Sequence, residues 1–429
     1  MVTSQPEFGM QDLEKARDLI LEKERALSDR FSEIDRVSEF NLNKVLTAFR
    51  ENRVTQEHFN PASGYGIDHI GRETLDRVWA QIFKTESACV RVSFVSGTHA
   101  IACAILGNIR PGTRFLTLTG TPYDSLEPVL GGKKESRGSI CDLGGTYLEV
   151  DLDPASMDRT DIVRAIAPLG EVDFFYLQKS CGYSATRKTY SNKELKKLID
   201  AARSVCPTAR VIVDNCYGEF VEVDEPSEVG ADLVVGSLIK NPGGGLAIAG
   251  GYIAGAEDLV ESALIRLTAP GIKGHMGVNF GEGRHLFQGL FIAPSVVAQA
   301  LKGVLLITSV FEEFGMTVKP RAQDQRYDII QAIEFSDEKK LINFCRAMQR
   351  YSPVDAHVEP EPYRMPGYED PVVMAGGTFV EGATIELSCD GPLRAPYTAY
   401  LQGGLSYQHV KCYLEGALSL SFAGEMPFF

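Results

Sequence analysis

Residues 233–244 read LVVGSLIKNPGG and place a single lysine, Lys240, between an apolar strand and a run of glycines. Lysine is almost never buried unless its amine has a specific purpose. Burial disfavours the charged ammonium, so it lowers the pKa of the lysine and makes a neutral amine available for a Schiff base. An exposed lysine in an ordinary Gly-rich loop is the alternative, and this segment taken alone favours that alternative.

A second strand of the buried type, residues 211–213, is followed directly by Asp214. In an open parallel sheet, ligands bind at the carboxyl ends of the strands. A carboxylate at that edge can keep a pyridinium nitrogen protonated, which lets the ring accept carbanion electrons. Capping of the next turn is the alternative role of this Asp. One crossover separates Asp214 from Lys240, so the two residues can lie on neighbouring strands.

Residues 96–100 read SGTHA and lie between a predicted strand and a predicted helix. The free N–H groups and the dipole at the start of a helix bind phosphate. Gly97 permits close approach of the backbone, Ser96 and Thr98 offer hydroxyl donors, and Ser237 is a further candidate donor. A simple helix N-cap explains the same residues without a ligand.

Tyr123 lies in the segment GTPYDS, residues 120–125, just beyond the second core strand. Its ring can stack on a flat cofactor and its phenol can pass a proton, whereas a tyrosine in a surface loop is the alternative. Each of these four signals is weak or moderate by itself. One cofactor, pyridoxal 5′-phosphate, explains their order along the chain: glycine-rich helix start, aromatic residue, strand-end Asp and lysine.

The overall composition disfavours several classes of partner. The 429 residues carry a formal net charge of -14, which repels nucleic-acid phosphates and anionic lipid. Residues 1–24 lack the apolar region of a signal peptide, and we expect no apolar stretch long enough to span a membrane. The nine cysteines show neither C-x-x-C pairs nor zinc-ligand spacing, which indicates reduced thiols in a cytoplasmic protein without a metal site.

The pattern of apolar residues predicts an α/β protein with three parts. Charged segments with helical periodicity predict an N-terminal helical arm over residues 1–60. Short apolar strands alternate with helices over residues 61–285, which predicts a cofactor-binding domain with a mostly parallel sheet flanked by helices. A long linking helix and a smaller α+β domain are expected over residues 286–429.

Five segments together resemble the family of methionine gamma-lyase-like or "aluminium resistance" proteins. They read SGTHA (96–100), QKSCGY (178–183), DNCYGEF (214–220), GSLIKNPGG (236–244) and GIKGHMG (271–277). The resemblance extends from about residue 40 to about residue 420, and it is more distant to Cys/Met-metabolism enzymes such as the cystathionine lyases. It implies the aspartate-aminotransferase-like architecture, fold type I, with a seven-stranded sheet. It also implies a homotetramer built from dimers, with each active site at a dimer interface.

The resemblance assigns a role to each candidate residue. Lys240 would be the Schiff-base lysine, Asp214 the partner of the pyridinium nitrogen and Tyr123 the stacking aromatic. An Arg from the C-terminal domain would bind the substrate carboxylate with its guanidinium fork, and Arg394 is the candidate, with a surface charge as an equal alternative. The candidate cofactor contacts are Ser96, Gly97, Thr98, His99, Tyr123, Gln178, Asp214, Tyr217, Ser237 and Lys240, and the candidate substrate contacts are Arg394 and Tyr65.

One departure from the wider group concerns the phosphate. The Cys/Met enzymes carry a Tyr-x-Arg pair that reaches the phosphate of a neighbouring subunit, whereas Tyr65 is followed here by Gly66 and Ile67. The basic residues that can replace the missing arginine are Arg72, Lys273 and Arg284.

The predicted function is that of a carbon–sulfur lyase dependent on pyridoxal phosphate and acting on a sulfur-containing amino acid. The reaction would be the α,γ- or α,β-elimination of a methionine gamma-lyase or a cystathionine lyase. Replacement at Cβ or Cγ, transamination and racemisation stay open as alternatives, and so does cofactor binding without turnover. A nucleotide-dependent enzyme is disfavoured because neither G-x-G-x-x-G nor G-x-x-x-x-G-K-[ST] is present.

Overall fold

A computed structural model describes residues 9–132, 136–184, 187–365 and 370–429. These residues form two compact units. The larger unit comprises residues 40–182 and 187–294, and the smaller unit comprises residues 9–39, 183–184 and 295–429. The larger unit therefore contains the segment predicted to bind the cofactor, together with flanking residues on both sides.

The larger unit is built on a seven-stranded sheet with the order β1-β7-β6-β5-β4-β2-β3. Its strands are β1 (Ser87–Arg91), β2 (Arg114–Thr117), β3 (Thr146–Glu149), β4 (Phe174–Gln178), β5 (Arg210–Asp214), β6 (Leu233–Ser237) and β7 (Gly251–Gly255). Strand β7 runs antiparallel to both of its neighbours, and the other pairs are parallel. The predicted seven-stranded, mostly parallel sheet is therefore confirmed.

The α-helices of the described residues follow the alternation that the sequence predicts. They are α1 (Met10–Ala26), α2 (Ser28–Glu51), α3 (Ile70–Ile82), α4 (Gly97–Asn108), α5 (Glu127–Leu130), α6 (Arg159–Ile166), α7 (Asn192–Val205), α8 (Glu257–Leu267), α9 (Gly283–Glu313), α10 (Glu338–Arg350) and α11 (Tyr407–Phe422). Local chemistry sets their starts. Ser191 and Glu194, for example, form a reciprocal capping box at the beginning of α7.

One face of the sheet packs on α6 and α7. Strand residues such as Phe175 and Val211 share a buried apolar cluster with Ile162 of α6 and with Leu195 and Leu198 of α7. The helices keep their apolar residues on one side, because residues three and four positions apart share a helix face. This packing fixes the strand ends that carry the candidate site.

The smaller unit contains a five-stranded antiparallel sheet with the order β10-β11-β12-β9-β8. Its strands are β8 (Thr317–Lys319), β9 (Ile330–Glu334), β10 (Val372–Ala375), β11 (Ser388–Pro392) and β12 (Thr398–Gln402). Residues of α10 and α11, including Phe344 and Tyr413, share the buried cluster of this unit with Phe311 and Phe428. The predicted smaller α+β domain is therefore confirmed.

Helix α9 corrects the expectation that no apolar segment is long enough to cross a membrane. By length and composition this 31-residue helix meets that criterion. However, 72% of its most apolar window is buried inside the protein. Packing in the interior therefore accounts for its composition.

Candidate active site

Lys240 lies three residues past the end of β6, at the start of the 3-10 turn Asn241–Gly243. Its Nζ lies 4.5 Å from the centroid of the Tyr217 ring. Strand β6 is the neighbour of β5, which ends at Asp214, so the predicted adjacency of the two strands is confirmed. The amine and the carboxylate therefore belong to the same edge of the sheet.

The charge state of Lys240 differs from the sequence-based expectation. Burial lowers the pKa of the amine, as expected, but the negative charge of nearby groups, Asp214 among them, raises it and outweighs burial. The pKa of Lys240 therefore lies well above its ordinary value. The prediction of a lowered pKa was wrong because it considered burial without the groups that face the amine.

The carboxylate of Asp214, only 3% exposed, is fixed on both of its oxygens. The backbone N–H of Cys216 donates to Oδ1 at 3.0 Å, and the hydroxyl of Tyr176 donates to Oδ2 at 3.3 Å. In the sheet, Asp214 pairs with Gln178 of β4 on one side and with Val235 of β6 on the other. The orientation of this carboxylate is therefore set before any ligand binds.

The loop before α4 is shaped for close approach by another group. The Oγ of Ser96 accepts the N–H of His99 at 3.1 Å, which makes Ser96 the N-cap of the helix. A Cβ atom added to Gly97 would lie 2.8 Å from the Cβ of Ser237. The start of α4 and the end of β6 therefore lie against each other, and the hydroxyls of Thr98 and Ser237 belong to the same small region.

Tyr123 is held in this region by Thr98, whose Oγ1 lies 3.1 Å from the Tyr123 hydroxyl. Burial, followed by the charge of Asp214, raises the pKa of the phenol well above its ordinary value. The phenol therefore keeps its proton and can act as a donor. The structure thus brings together the predicted residues Ser96, Gly97, Thr98, Tyr123, Asp214, Tyr217, Ser237 and Lys240, which all lie in the larger unit.

His99 and Gln178 are also in the larger unit, and the side chain of each forms a hydrogen bond with a nearby backbone group. The Nδ1 of His99 accepts the N–H of Val95 at 3.1 Å, and burial lowers the pKa of the ring, so His99 is neutral and secures the loop. The side-chain amide of Gln178 donates to the carbonyl of Ser180 at 2.9 Å. Its Oε1 is buried and has no hydrogen-bond partner among the described residues, so this oxygen is an acceptor that a ligand can use.

The two candidate substrate contacts belong to different units of the chain. Tyr65 of the larger unit is 73% exposed. Arg394 belongs to the smaller unit, and its Nη1 lies 3.5 Å from a carboxylate oxygen of Asp370. About half of the Arg394 side chain is exposed.

The candidate replacements for the missing arginine differ in availability. Arg72 is only 6% exposed, and it donates to the carbonyls of Gly66, His275 and Gly277 at 2.8–2.9 Å. It therefore holds two loops of its own chain together. Lys273 forms an ion pair with Glu261 at 2.6 Å, whereas Arg284 is exposed on the surface.

Sequence reasoning missed two residues of the site, Tyr176 and Asn241, and assigned no role to a third, Cys216. Tyr176 and Cys216 hold the carboxylate of Asp214. The side-chain amide of Asn241 donates to the carbonyls of Tyr217 and Glu219, both at 2.9 Å, and thereby ties the lysine loop to the loop that follows β5. The position of Asn241 directly after Lys240 was an available signal, whereas Tyr176 reads simply as the middle of an apolar strand.

Comparison with known proteins agrees with this arrangement. The family model for methionine gamma-lyase matches residues 16–421. The chain belongs to the methionine gamma-lyase family. It is 46% identical over 393 residues to the uncharacterized protein YnbB of Bacillus subtilis, across 91% of this chain and 93% of that protein.

Solved structures extend the likeness to the fold. A carbon–sulfur lyase involved in aluminum resistance from Clostridium novyi superposes with a TM-score of 0.90 at 41% identity, over 98% of this chain and 99% of that one. The pyridoxal-5′-phosphate-dependent protein YhfS from Escherichia coli has a TM-score of 0.58 at 16% identity, over 91% of this chain and 97% of that one. The predicted fold-type-I architecture and the predicted family are therefore confirmed.

Proposed function

We propose that this member of the methionine gamma-lyase family is a pyridoxal-phosphate-dependent carbon–sulfur lyase. Its substrate would be a sulfur-containing amino acid, and its products a keto acid, ammonia and a thiol. The observation that carries the proposal is the position of Lys240, beside the ring of Tyr217 and on the sheet edge that ends in Asp214. The likeness to the C. novyi carbon–sulfur lyase supports the reaction class.

The residues at this edge fit the cofactor. Only glycine fits at position 97 against Ser237, and the free N–H groups of α4 begin there, which suits a phosphate group. The Oε1 of Gln178, which has no partner among the described residues, suits a hydroxyl donor, and the oriented carboxylate of Asp214 suits a protonated ring nitrogen. A phosphate, a ring hydroxyl and a ring nitrogen are the polar groups of pyridoxal phosphate, apart from the aldehyde that Lys240 would engage.

Each residue then has one task. Lys240 would hold the aldehyde carbon, Asp214 the ring nitrogen, Tyr123 the face of the ring, and Gly97, Thr98 and Ser237 the phosphate. When bound, the cofactor supplies an electron sink for the negative charge that is left at Cα after a proton is removed.

Lys240 is the proposed acid and base. Once its Nζ is released by the incoming amino acid, it takes the proton from Cα, and for a γ-leaving group it moves a second proton at Cβ. Because nearby groups raise the pKa of Lys240, the freed amine holds the proton that it takes from Cα. A positioned proton transfer of this kind contributes roughly 10²–10⁴-fold to the rate.

Tyr123 is the proposed acid for the leaving sulfur. Its raised pKa keeps the phenol protonated, and its hydrogen bond with Thr98 fixes the hydroxyl. A protonated, positioned phenol can donate to a departing thiolate, which would otherwise leave as an anion. For the substrate carboxylate, Arg394 and Tyr65 stay the candidates.

We also propose a homotetramer made of dimers, with active sites at the dimer interfaces. The support is an exposed apolar surface on two joined loops, where the N–H of Gly277 donates to the carbonyl of Tyr65 at 2.7 Å. Tyr65, Ile67 and Phe280 are 73%, 57% and 67% exposed. Large exposed apolar side chains that form one patch are typical of interaction surfaces. Analytical ultracentrifugation measures the mass directly, and a monomer at micromolar concentration would contradict this part of the proposal.

The function is tested with the purified protein and added pyridoxal phosphate. The protein should turn yellow, with absorbance at about 420 nm as expected of the bound cofactor. Borohydride reduction followed by peptide mass spectrometry should place the adduct on Lys240, and Lys240→Ala should lose it. Lys196→Ala, at an exposed lysine of the same unit, is the control and should keep it. A native protein that stays colourless and forms no adduct would contradict the proposed function.

Product analysis separates the reactions that share this cofactor. A panel of S-substituted amino acids should release keto acid, ammonia and thiol in equal amounts. A new amino acid with a changed side chain would instead indicate replacement, a keto acid without ammonia would indicate transamination, and loss of optical activity alone would indicate racemisation. Cofactor binding with none of these products would show a binding protein without turnover.

A further inference from the structure

Tyr176 belongs to the interior of β4, but its hydroxyl reaches the carboxylate at the end of β5. The Tyr176 Oη lies 3.3 Å from Asp214 Oδ2. Tyr176 is 1% exposed and Asp214 is 3% exposed. Because both groups are buried, water does not compete for this hydrogen bond.

The sheet register places Tyr176 where it can do this. In the parallel pair of β4 and β5, Tyr176 lies opposite Ile212 and Gln178 lies opposite Asp214. Side chains alternate between the two faces of a sheet, so Tyr176 and Asp214 point to the same face. Tyr176 lies two residues before Gln178, the residue that pairs with Asp214. The ring of Phe115 packs against Tyr176 at a centroid distance of 6.0 Å and limits its movement.

The hydroxyl of Tyr176 and the thiol of Cys216, which both lie beside Asp214, stay protonated. Burial, and then the charge of Asp214, raises the pKa of Tyr176 well above its ordinary value. The same two causes raise the pKa of the Cys216 thiol, which also hydrogen-bonds Asp214. Tyr176 therefore keeps its proton and donates to Oδ2, whereas Oδ1 accepts the backbone N–H of Cys216.

We propose that Tyr176 is a positioning residue for Asp214: its hydroxyl keeps this carboxylate aimed at the ring nitrogen of the cofactor. The inference rests on the proposed function, because it requires that pyridoxal phosphate binds here. It differs from a purely structural role, in which the tyrosine fills the core and its hydroxyl only finds a convenient acceptor. The two roles predict different results when the hydroxyl alone is removed.

The decisive variant is Tyr176→Phe, which keeps the ring beside Phe115 and removes the donor to Oδ2. Without this donor the carboxylate becomes free to turn, and its hydrogen bond with the ring nitrogen weakens. The proton on the ring nitrogen is then held less firmly. We therefore expect the ¹⁵N resonance of ring-labelled pyridoxal phosphate to move from its native position towards that of the neutral ring. The affinity for the cofactor should fall about three- to tenfold.

Two further variants calibrate the measurement. Asp214→Asn gives the ¹⁵N resonance that the ring nitrogen has when its carboxylate partner is missing. Tyr190→Phe removes another buried hydroxyl from the same unit, one that donates to the carbonyl of Leu152 at 3.2 Å and has no contact with Asp214. Its ¹⁵N resonance and its cofactor affinity should match those of the native protein.

The outcomes separate this inference from the proposed function. If the native protein binds no pyridoxal phosphate, the proposed function fails. If the native protein binds it and Tyr176→Phe leaves both the ¹⁵N resonance and the affinity unchanged, the role of Tyr176 is refuted. Equal changes in Tyr176→Phe and Tyr190→Phe would also refute it, because they would indicate a general loosening of the core.

A second substitution keeps the test decisive if Tyr176→Phe does not fold. Incorporation of 3-fluorotyrosine at position 176 preserves the shape of the side chain and strengthens the hydroxyl as a donor. The ring nitrogen should then move in the opposite direction, away from the neutral position. No movement in the fluorinated protein would count against the proposal.

Discussion

Gly97 and Ser237 approach so closely that a Cβ atom on the glycine would lie 2.8 Å from the Cβ of the serine. One residue begins α4 and the other ends β6, so this contact joins two segments that are far apart in the chain. Non-bonded carbon atoms overlap at this distance, and a tightly packed interior leaves no room for an added methyl group. The contact therefore brings the start of a helix next to the strand that leads to Lys240.

The first prediction concerns Gly97→Ala. The added methyl group should push α4 away from Ser237, at a cost of about 1–3 kcal/mol, and weaken cofactor binding by at least about tenfold. Titration of the purified variant with pyridoxal phosphate, followed by absorbance, measures the affinity. Gly271→Ala is the matched control, since nothing lies within 4 Å of the added Cβ. Equal affinities for Gly97→Ala and the native protein would show that the close contact does not matter for binding.

The second prediction concerns Tyr123→Phe. Loss of the phenol should lower the rate of thiol release roughly 10²–10⁴-fold, because the leaving sulfur loses its acid. Binding of pyridoxal phosphate, measured by absorbance, should change little because the aromatic ring remains. Tyr147→Phe is the control: its hydroxyl donates to Glu149 at 2.8 Å, away from Asp214. A Tyr123→Phe enzyme with native turnover would remove Tyr123 from the mechanism.

The third prediction concerns a buried ion pair behind the site. Lys179 is fully buried, and its Nζ donates to Glu222 at 2.8 Å and to Asn192 at 2.7 Å. Glu222→Gln leaves the buried ammonium without its counter-charge, so the free energy of unfolding should fall by about 3–5 kcal/mol. Urea unfolding measures the change.

The control for that experiment is an exposed pair in the same unit. Lys196 and Asp200 form an ion pair at 2.8 Å, and both side chains are more than half exposed. Asp200→Asn should therefore change the free energy of unfolding by only about 0.5 kcal/mol or less. If the free energy of unfolding fell equally in the two variants, the buried ion pair of Lys179 and Glu222 would contribute no more to stability than the exposed pair.

The fourth prediction concerns pH and Asp390 of the smaller unit. Burial raises the pKa of Asp390 to about 6, although hydrogen bonds from Tyr183 and Gln402 lower it. Unfolded chains ionise Asp at a pKa near 3.9, so folding favours the protonated acid. The stabilisation is therefore complete below about pH 4 and is lost as the pH rises through about 6, with a total change of about 3 kcal/mol.

Asp390→Asn tests whether the stabilisation from Asp390 decreases as the pH rises. The amide cannot ionise, so the stability of the variant relative to the native protein should increase from pH 4 to pH 7 in urea unfolding. Glu381→Gln, at an exposed position of the same unit, is the control. A relative stability of Asp390→Asn that is flat or that decreases with pH would contradict the raised pKa.

The parts of the site that the sequence predicted are those with local signals. Lys240 follows an apolar strand and precedes glycines, Asp214 ends another apolar strand, and Gly97 begins a helix. Strand ends in a parallel sheet share one edge, so each pattern points to the same place without coordinates. The mostly parallel sheet and the smaller α+β domain were predicted for the same reason, since alternation and periodicity are properties of the chain itself.

What the sequence alone determined is therefore which residues stand at the strand and helix ends, because those positions depend on neighbours along the chain. Only the tertiary structure decided that Tyr176 donates to Asp214, since this contact depends on the register of β4 against β5. Only the tertiary structure showed that Arg72 is committed to its own loops and that the pKa of Lys240 is raised. Hydrogen bonds and electrostatic potentials act through space, so residues remote in the chain set them.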